Sequence, residues 1–206
     1  MAHIPDGVLS LPVLVGGGVL AAGGIALGLR RLDDAEIAET GILAAMFFVV
    51  SLVSIPLGPS NIHLLLGGLM GLIVGWRAFL AVFVGLTMQA VLFGFGGLTT
   101  LGVDIVNMAL PGVLLAALAR PFLDAERLGR AAFVGGLVGG LAVAGTAAGV
   151  ALALALSSPD YVPSLKIVLA TYLPLAAIEA LITGAALSFL ARVRPEMLSL
   201  GARVPA

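Results

Sequence analysis

Long apolar segments alternate with short polar or Pro/Gly-containing breaks along almost the whole chain. A helix that spans a bilayer needs about 20 mostly apolar residues. Seven segments approach this length, and the third is short enough to be tilted or only partly spanning. They cover roughly 9–29, 40–57, 61–75, 78–96, 102–119, 131–157 and 165–191. The pattern predicts an all-α, polytopic membrane helical bundle of about seven transmembrane helices.

The breaks between the segments leave no room for a soluble domain of useful size. We therefore predict a single integral membrane domain over residues 1–206, with an N-terminal segment at 1–8, a transmembrane bundle at 9–194 and a cytoplasmic tail at 195–206. The N-terminus lacks the basic region of a cleaved signal peptide and carries Asp6 before the first apolar stretch. We expect this terminus to be retained.

The basic residues predict the orientation of the bundle. Cytoplasmic loops of membrane proteins carry an excess of Lys and Arg. With seven spans and the N-terminus outside, nine of the ten basic residues fall on the cytoplasmic side, and only Lys166 lies outside. An even number of spans would destroy this segregation. The sequence thus predicts a multi-pass protein of the plasma or inner membrane, with its N-terminus outside and its C-terminus in the cytoplasm.

Composition excludes several classes of function. The chain is 61% hydrophobic and 10% charged, whereas soluble domains carry about 25% charged residues. No basic tract suggests nucleic acid, and the absence of cysteine excludes disulfides and thiolate metal sites. The only lysine, Lys166, precedes Ile167, so the P-loop pattern of lysine followed by Ser or Thr is missing. We predict a transporter component rather than an enzyme, with active uptake driven by an ATPase partner or an ion gradient.

Glycines recur at four-residue spacing in several of the predicted helices. Small residues at this spacing form a smooth stripe that lets two helix backbones approach closely. Such stripes serve either packing within one bundle or docking against a partner protein, and we favour packing. The glycines are Gly24/Gly28, Gly67/Gly71/Gly75, Gly135/Gly139 and Gly136/Gly140.

The first candidate for chemistry is His3, which lies beside the terminal amine. Amine, backbone amide and imidazole nitrogens can bind a metal in one plane, which suits Ni(II) or Cu(II) better than Zn(II), Mg(II) or Ca(II). If Met1 is removed, Ala2 supplies the amine and a fourth position stays open. If Met1 is retained, amine, two amides and the imidazole fill all four positions. A terminal histidine without any role is the alternative.

The only other histidine, His63, is the obvious fourth ligand. It lies at the start of the third predicted span, on the same outer side as His3. A lone membrane histidine usually satisfies a hydrogen bond between helices, yet ionisable groups at membrane depth are functional candidates by default. We predict a shared metal site formed by Ala2, His3 and His63.

Other polar residues could support this site or only the fold. Asp104 and Asn107 lie about one helical turn apart and share a helix face. Together with Asn61 they are candidates for orienting a ligating imidazole, and interhelical hydrogen bonds are the alternative. Glu179 lies in the middle of the last span, where a carboxylate is costly unless it is paired, protonated or facing a wet cavity. Functional and structural roles for Glu179 stay equally open.

Several motifs together resemble the CbiM/NikM family, the substrate-specific membrane components of cobalt and nickel energy-coupling-factor (ECF) transporters. The similarity covers nearly the whole chain. The motifs are His3-Ile4-Pro5-Asp6-Gly7, the segment 60–68 around His63, the block Phe93-Gly94-Phe95-Gly96-Gly97-Leu98-Thr99-Thr100-Leu101-Gly102 with Asn107-Met108, the stretch Pro174 to Glu179, and Arg192-Val193-Arg194-Pro195-Glu196.

The resemblance implies a seven-helix bundle whose N-terminal segment folds inward to hold the metal. The family's ligands correspond here to the mature terminal amine of Ala2, to His3 and to His63. The family usually begins Met-His, so its spacing returns only if Met1 is removed. Phe95 stands where the family often has histidine, which leaves no third imidazole.

The resemblance also implies partners: a transmembrane coupling protein, cytoplasmic ABC ATPase subunits and in some systems a small accessory membrane subunit. We therefore expect uptake of Ni(II) or Co(II), with nickel slightly favoured, as bound substrate and without a cofactor. An intramembrane enzyme using Glu179, Asp104 and a histidine is disfavoured because no HExxH or nucleophile elbow is present. A non-transporting scaffold subunit with incidental histidines is the remaining alternative.

Overall fold

The computed structural model describes residues 3–53, 55–57, 60–124, 127–195 and 197. Within these residues the fold is helical apart from one small hairpin, in agreement with the predicted all-α class. The seven α-helices are α1 (Leu11–Arg30), α2 (Asp34–Leu52), α3 (Gly67–Val74), α4 (Ala78–Phe93), α5 (Leu101–Ala119), α6 (Leu128–Ser157) and α7 (Leu165–Val193). The hairpin pairs β1 (Ile55–Leu57) with antiparallel β2 (Ser60–Ile62).

Local sequence explains where several helices begin and end. Pro12 lies in the first turn of α1, where a backbone N–H has no intrahelical acceptor. At the start of α2, the Glu36 carboxylate accepts a hydrogen bond of 3.3 Å from the Asp33 N–H, as in a capping box. Helix α4 ends at Gly94, whose φ of +65° is the left-handed conformation that glycine adopts most readily. Gly94 thereby starts the tight turn that leads into α5.

In the part of the chain that the structure describes, six helical segments are long and apolar enough to cross a membrane, and neither the predicted count of seven nor the predicted orientation of the termini is confirmed. These segments are Leu11–Arg30, Asp34–Leu52, Gly67–Phe93, Leu101–Phe122, Leu128–Ser157 and Leu165–Val193. The third predicted span, at 61–75, begins as a strand and an extended stretch, and only α3 is helical. Eight residues rise about 12 Å, less than half of the ~30 Å hydrocarbon core. Helix α3 alone is therefore too short to cross.

Helix α3 lies in the interior of the bundle, packed on backbone atoms of its neighbours. A Cβ on Gly67 would lie 2.6 Å from the Met108 carbonyl oxygen of α5, and one on Gly68 would lie 2.7 Å from the Gly139 Cα of α6. Such distances leave no room for any side chain larger than hydrogen. The glycine stripes in α3 and α6 therefore pack helices within the bundle, as the sequence favoured.

Several arginines gather at one end of the bundle, opposite the N-terminal segment. The N-terminal segment, here residues 3–10, lies at one end, where the Ser10 N–H donates to the Ser157 hydroxyl over 3.0 Å. The opposite end holds a cavity of about 630 Å³ lined by basic and acidic side chains, among them Arg31, Asp33, Glu36, Glu39, Arg77, Arg120 and Arg194. Arg77 is buried there and pairs with Glu36 at 3.0 Å. Arginines from four separate parts of the chain thus meet at the end opposite His3.

Candidate metal centre

The N-terminal segment is held on the bundle through its main chain. The Ile4 N–H donates to both carboxylate oxygens of Asp104, at 3.2 and 3.3 Å, and the Ile4 carbonyl accepts a hydrogen bond from the Thr100 hydroxyl. The Ile4 side chain is buried in a small apolar cluster with Leu9 and Val103. Both polar groups of the Ile4 main chain are satisfied, so the adjoining His3 is attached to the start of α5.

Asp6, two residues after Ile4, adds a second attachment of the segment. Its exposed carboxylate accepts hydrogen bonds from the Thr99 N–H at 2.9 Å, from the Thr99 hydroxyl and from the Leu98 N–H at 3.3 Å. The hydrogen bonds from Thr99 lower the pKa of the Asp6 carboxyl below its usual value. A Cβ on Gly97 would lie 2.2 Å from the Asp6 carboxylate, so a side chain at this position would collide with Asp6. The close approach of Asp6 therefore requires glycine.

The structure brings the two histidines of the chain into contact. Their rings stack with centroids 4.9 Å apart and planes inclined by 24°, and both residues are buried. The His63 Nδ1 lies 3.2 Å from the Leu64 carbonyl oxygen. Because a carbonyl only accepts, Nδ1 carries the hydrogen in this pair and Nε2 keeps its lone pair. Within the described residues, Nε2 of both His3 and His63 is buried without a hydrogen-bond partner.

Burial keeps both imidazoles neutral near pH 7. It lowers the pKa of His3 to about 3, with the neighbouring His63 contributing in the same direction. The pKa of His63 is also lowered, chiefly by burial and against the opposing hydrogen bond to Leu64. A neutral imidazole is the form that binds a metal ion. Two neutral imidazoles in contact, each with an unpartnered Nε2, could bind a metal ion together with further donors.

The described residues do not add a His, Cys, Asp or Glu side chain to this pair to make a metal-binding group of three. Ala2 and the side chain of Asn61 lie outside the described residues, so their predicted roles stay predictions. A complete coordination sphere around His3 and His63 therefore needs main-chain nitrogen, the terminal amine, water or another group.

The predicted supporting residues Asp104 and Asn107 take different places. Asp104 is buried and binds the Ile4 main chain, so it positions the N-terminal segment rather than contacting an imidazole through any hydrogen bond that the described residues show. Asn107 lines a separate cavity of about 590 Å³ between α1, α5 and α6. A Cβ on Gly149 would lie 2.5 Å from the Asn107 side-chain oxygen, which fixes that amide against α6. Only Asp104 belongs to the histidine site.

Two residues of α7 reach this region from the far side. Tyr172 is buried and, with His3, lines a cavity of about 200 Å³. Glu179, two helical turns further, is fully buried and accepts hydrogen bonds from the Leu65 and Leu66 N–H groups. The sequence left the role of Glu179 open and gave no reason to select Tyr172.

The fold and the site together define a class: a polytopic helical membrane protein with a buried pair of metal-competent imidazoles beneath its N-terminal segment. The sequence matches the family described as "Cobalt uptake substrate-specific transmembrane region" over residues 3–197. The chain belongs to this family. The predicted family resemblance and the multi-pass membrane location are thereby confirmed, and the chain is a component of a transition-metal transport system.

Individual members of the family are similar to this chain over nearly their full length. A Haemophilus influenzae protein named for metal transport is 33% identical over 199 residues, covering 96% of this chain and 97% of the relative. "Cobalt transport protein CbiM" of Sorangium cellulosum is 33% identical, covering 95% and 94% of the two chains. The fold matches a crystal structure of a transition metal transporter with a TM-score of 0.74, at 22% identity, over 99% of this chain and 100% of that one.

Proposed function

We propose that this chain is the substrate-binding component of an ECF-type transporter that takes up Ni(II) or Co(II). The observation that carries the proposal is the stacked, buried pair His3 and His63, whose Nε2 atoms have no other partner among the described residues. The mature terminal amine of Ala2 and the His3 amide would add nitrogen donors in one plane. Planar nitrogen ligation favours Ni(II) over the harder divalent ions.

The proposed direction of transport follows from the charge of the two ends. With the N-terminus outside, the sequence puts nine of the ten basic residues on the cytoplasmic side. Four arginines, Arg31, Arg77, Arg120 and Arg194, line the cavity at the end opposite His3. Metal is then captured at the outer end of the bundle and leaves towards the cytoplasm. The chain has no P-loop lysine of its own. The family resemblance implies that energy comes from ABC ATPase subunits through a transmembrane coupling protein, with a small accessory membrane subunit in some assemblies.

Uptake of radioactive nickel or cobalt by cells that express the chain with its partner subunits tests this function. His3→Ala and His63→Ala should each lower uptake at least tenfold while leaving the amount of membrane-inserted protein unchanged. Thr146→Val, a nearly isosteric change that removes a buried hydroxyl in α6, is the control and should transport normally. Normal uptake by both histidine variants would favour a scaffold with incidental histidines.

A further inference from the structure

The Glu179 carboxylate has an unusual position in the middle of α7. It is fully buried, in a helix that is long and apolar enough to span a membrane. A charged group at such a depth is expensive unless other groups satisfy it. Its Oε1 accepts a 2.8 Å hydrogen bond from the Leu66 N–H and a second one from the Leu65 N–H. The carboxylate thus binds main chain of the segment that follows His63.

The two N–H groups belong to the turn that opens α3. Leu66 is the residue before the helix and has φ +51°, the one positive φ of a non-glycine residue in the described parts of the chain. Such a conformation persists only where surrounding contacts fix it. Free N–H groups and the positive end of the helix dipole also favour a carboxylate at this position. Glu179 therefore holds an otherwise unfavourable turn in place.

The same contact reaches the His63 ring through one peptide group. The Leu65 N–H and the Leu64 carbonyl belong to a single planar unit, in which the N–H and C=O point in opposite directions. Glu179 accepts from the N–H on one side, and His63 Nδ1 donates to the C=O on the other. The Glu179 carboxylate, the Leu64–Leu65 peptide group and the His63 imidazole are thus connected by two hydrogen bonds. A hydrogen bond at either end of such a unit strengthens the one at the other end.

Close packing of three helices brings α7 near enough for this contact. A Cβ on Gly139 of α6 would lie 2.7 Å from the Glu179 carbonyl oxygen, and one on Gly68 of α3 would lie 2.7 Å from the Gly139 Cα. Both glycines let backbone pass directly against backbone. Glu179 consequently stands opposite the first residues of α3 without needing an extended side chain.

We propose that Glu179 is a positioning residue for His63. Through the Leu64–Leu65 peptide group it orients the imidazole and keeps the hydrogen on Nδ1, so that Nε2 faces the metal with its lone pair. Carboxylates that orient a ligating histidine directly have the same effect on tautomer and ring orientation. The proposal deepens the proposed function and rests on it in one respect, namely that His63 binds the metal.

The first test needs no metal. Because the chain has only two histidines, ¹⁵N-labelled imidazoles give two sets of NMR signals, which His3→Ala assigns. Wild-type His63 should show one tautomer, with hydrogen on Nδ1. Glu179→Ala should give a mixture of the two tautomers, whereas Glu179→Gln, which keeps an oxygen acceptor, should stay close to wild type. An unchanged His63 signal in folded Glu179→Ala overturns the proposal, even if that variant unfolds at a lower temperature.

The second test measures Ni(II) affinity and the visible absorption spectrum of the bound ion in the full chain. Glu179→Ala should bind Ni(II) roughly ten- to hundredfold more weakly and shift the absorption band. Thr183→Val, one turn along the same buried face of α7, is the matched control and should change neither. Wild-type affinity and spectrum in Glu179→Ala would overturn the positioning role. Failure of wild type to bind Ni(II) would instead contradict the proposed function, and the tautomer test would then decide the positioning role alone.

Discussion

His3 and His63 meet in the structure, but they are held in place by different means. His63 is fixed by its own Nδ1 hydrogen bond and by main chain that α7 holds. No ring hydrogen bond of His3 is seen among the described residues, and its position depends on its neighbour Ile4, whose N–H donates to Asp104. The position of His3 therefore depends on how well the whole N-terminal segment stays attached. Loss of the hydrogen bonds of Asp6 should therefore weaken the site although neither histidine is changed.

The lowered pKa of Asp6 predicts that this attachment depends on pH. A carboxyl whose pKa falls on attachment stabilises the attached form fully above its usual pKa of 3.8 and loses that contribution as pH falls through the lowered value. Hydrogen exchange of the segment in metal-free protein measures the effect. Wild type should be better protected than Asp6→Asn above pH ~5, and the difference should vanish in stronger acid.

The matched control for this experiment is Asp160→Asn, an exposed carboxylate at the same end of the bundle that makes only local hydrogen bonds. It should leave protection of the N-terminal segment unchanged at every pH. Equal protection of Asp6→Asn and wild type above pH ~5 would show that the Asp6 charge does not hold the segment.

The sequence alone was enough to select His3 and His63 as candidate metal ligands, because the chain has only these two histidines. It could not assign the roles of Asp104 and Glu179. For Asp104 the sequence left open an orienting role and an interhelical hydrogen bond, and in the structure its carboxylate accepts from the Ile4 N–H. The partner of Glu179 lies 113 residues away in the chain. Such contacts depend on the rotation and depth of helices that pack together, which the spacing within one helix does not contain.

At the scale of elements, the main departure from the sequence prediction is α3. Hydropathy measures whether a segment avoids water, and it does not distinguish lipid from the interior of a bundle. All residues of α3 except Ile73 are buried, so an apolar segment of this kind satisfies the same pattern without crossing alone. The other six predicted segments correspond to α1, α2 and α4–α7. Their apolar length was sufficient to predict them, because charged residues, proline or glycine mark the ends of each segment.

The crossing of α3 and α5 predicts a strong effect of one added methyl group. A Cβ on Gly112 would lie 2.0 Å from the Gly67 carbonyl oxygen, and backbone cannot move aside as a side chain can. Gly112→Ala should destabilise the bundle by roughly 1–3 kcal/mol or more. Thermal unfolding of the purified protein in detergent, followed by circular dichroism, checks this.

Gly41→Ala is the control, because nothing lies within 4 Å of the added Cβ in α2. Alanine is the better helix former, so this variant should be as stable as wild type or more stable by up to about 1 kcal/mol. Equal unfolding temperatures for Gly112→Ala and Gly41→Ala would mean that α3 and α5 do not cross as closely as described.

At the scale of the whole molecule, basic residues gather at the end of the bundle opposite His3. The sequence predicted this segregation, and the structure places arginines from four parts of the chain around one cavity. The orientation itself is testable because the chain has no cysteine. A single cysteine at Asp160 should react with an impermeant maleimide from outside intact cells. A single cysteine at Asp34 should react only after the membrane is opened, and the reverse pattern would contradict the proposed topology.

The most direct test of the account is native mass spectrometry of the untagged, full-length protein with added Ni(II) or Co(II). We expect a chain that begins at Ala2 and holds one metal ion, with the metal lost in His63→Ala. The ion retained at the lower concentration identifies the preferred substrate. Full metal occupancy in His63→Ala, or no bound metal in wild type, would contradict capture of the metal between the N-terminal segment and His63.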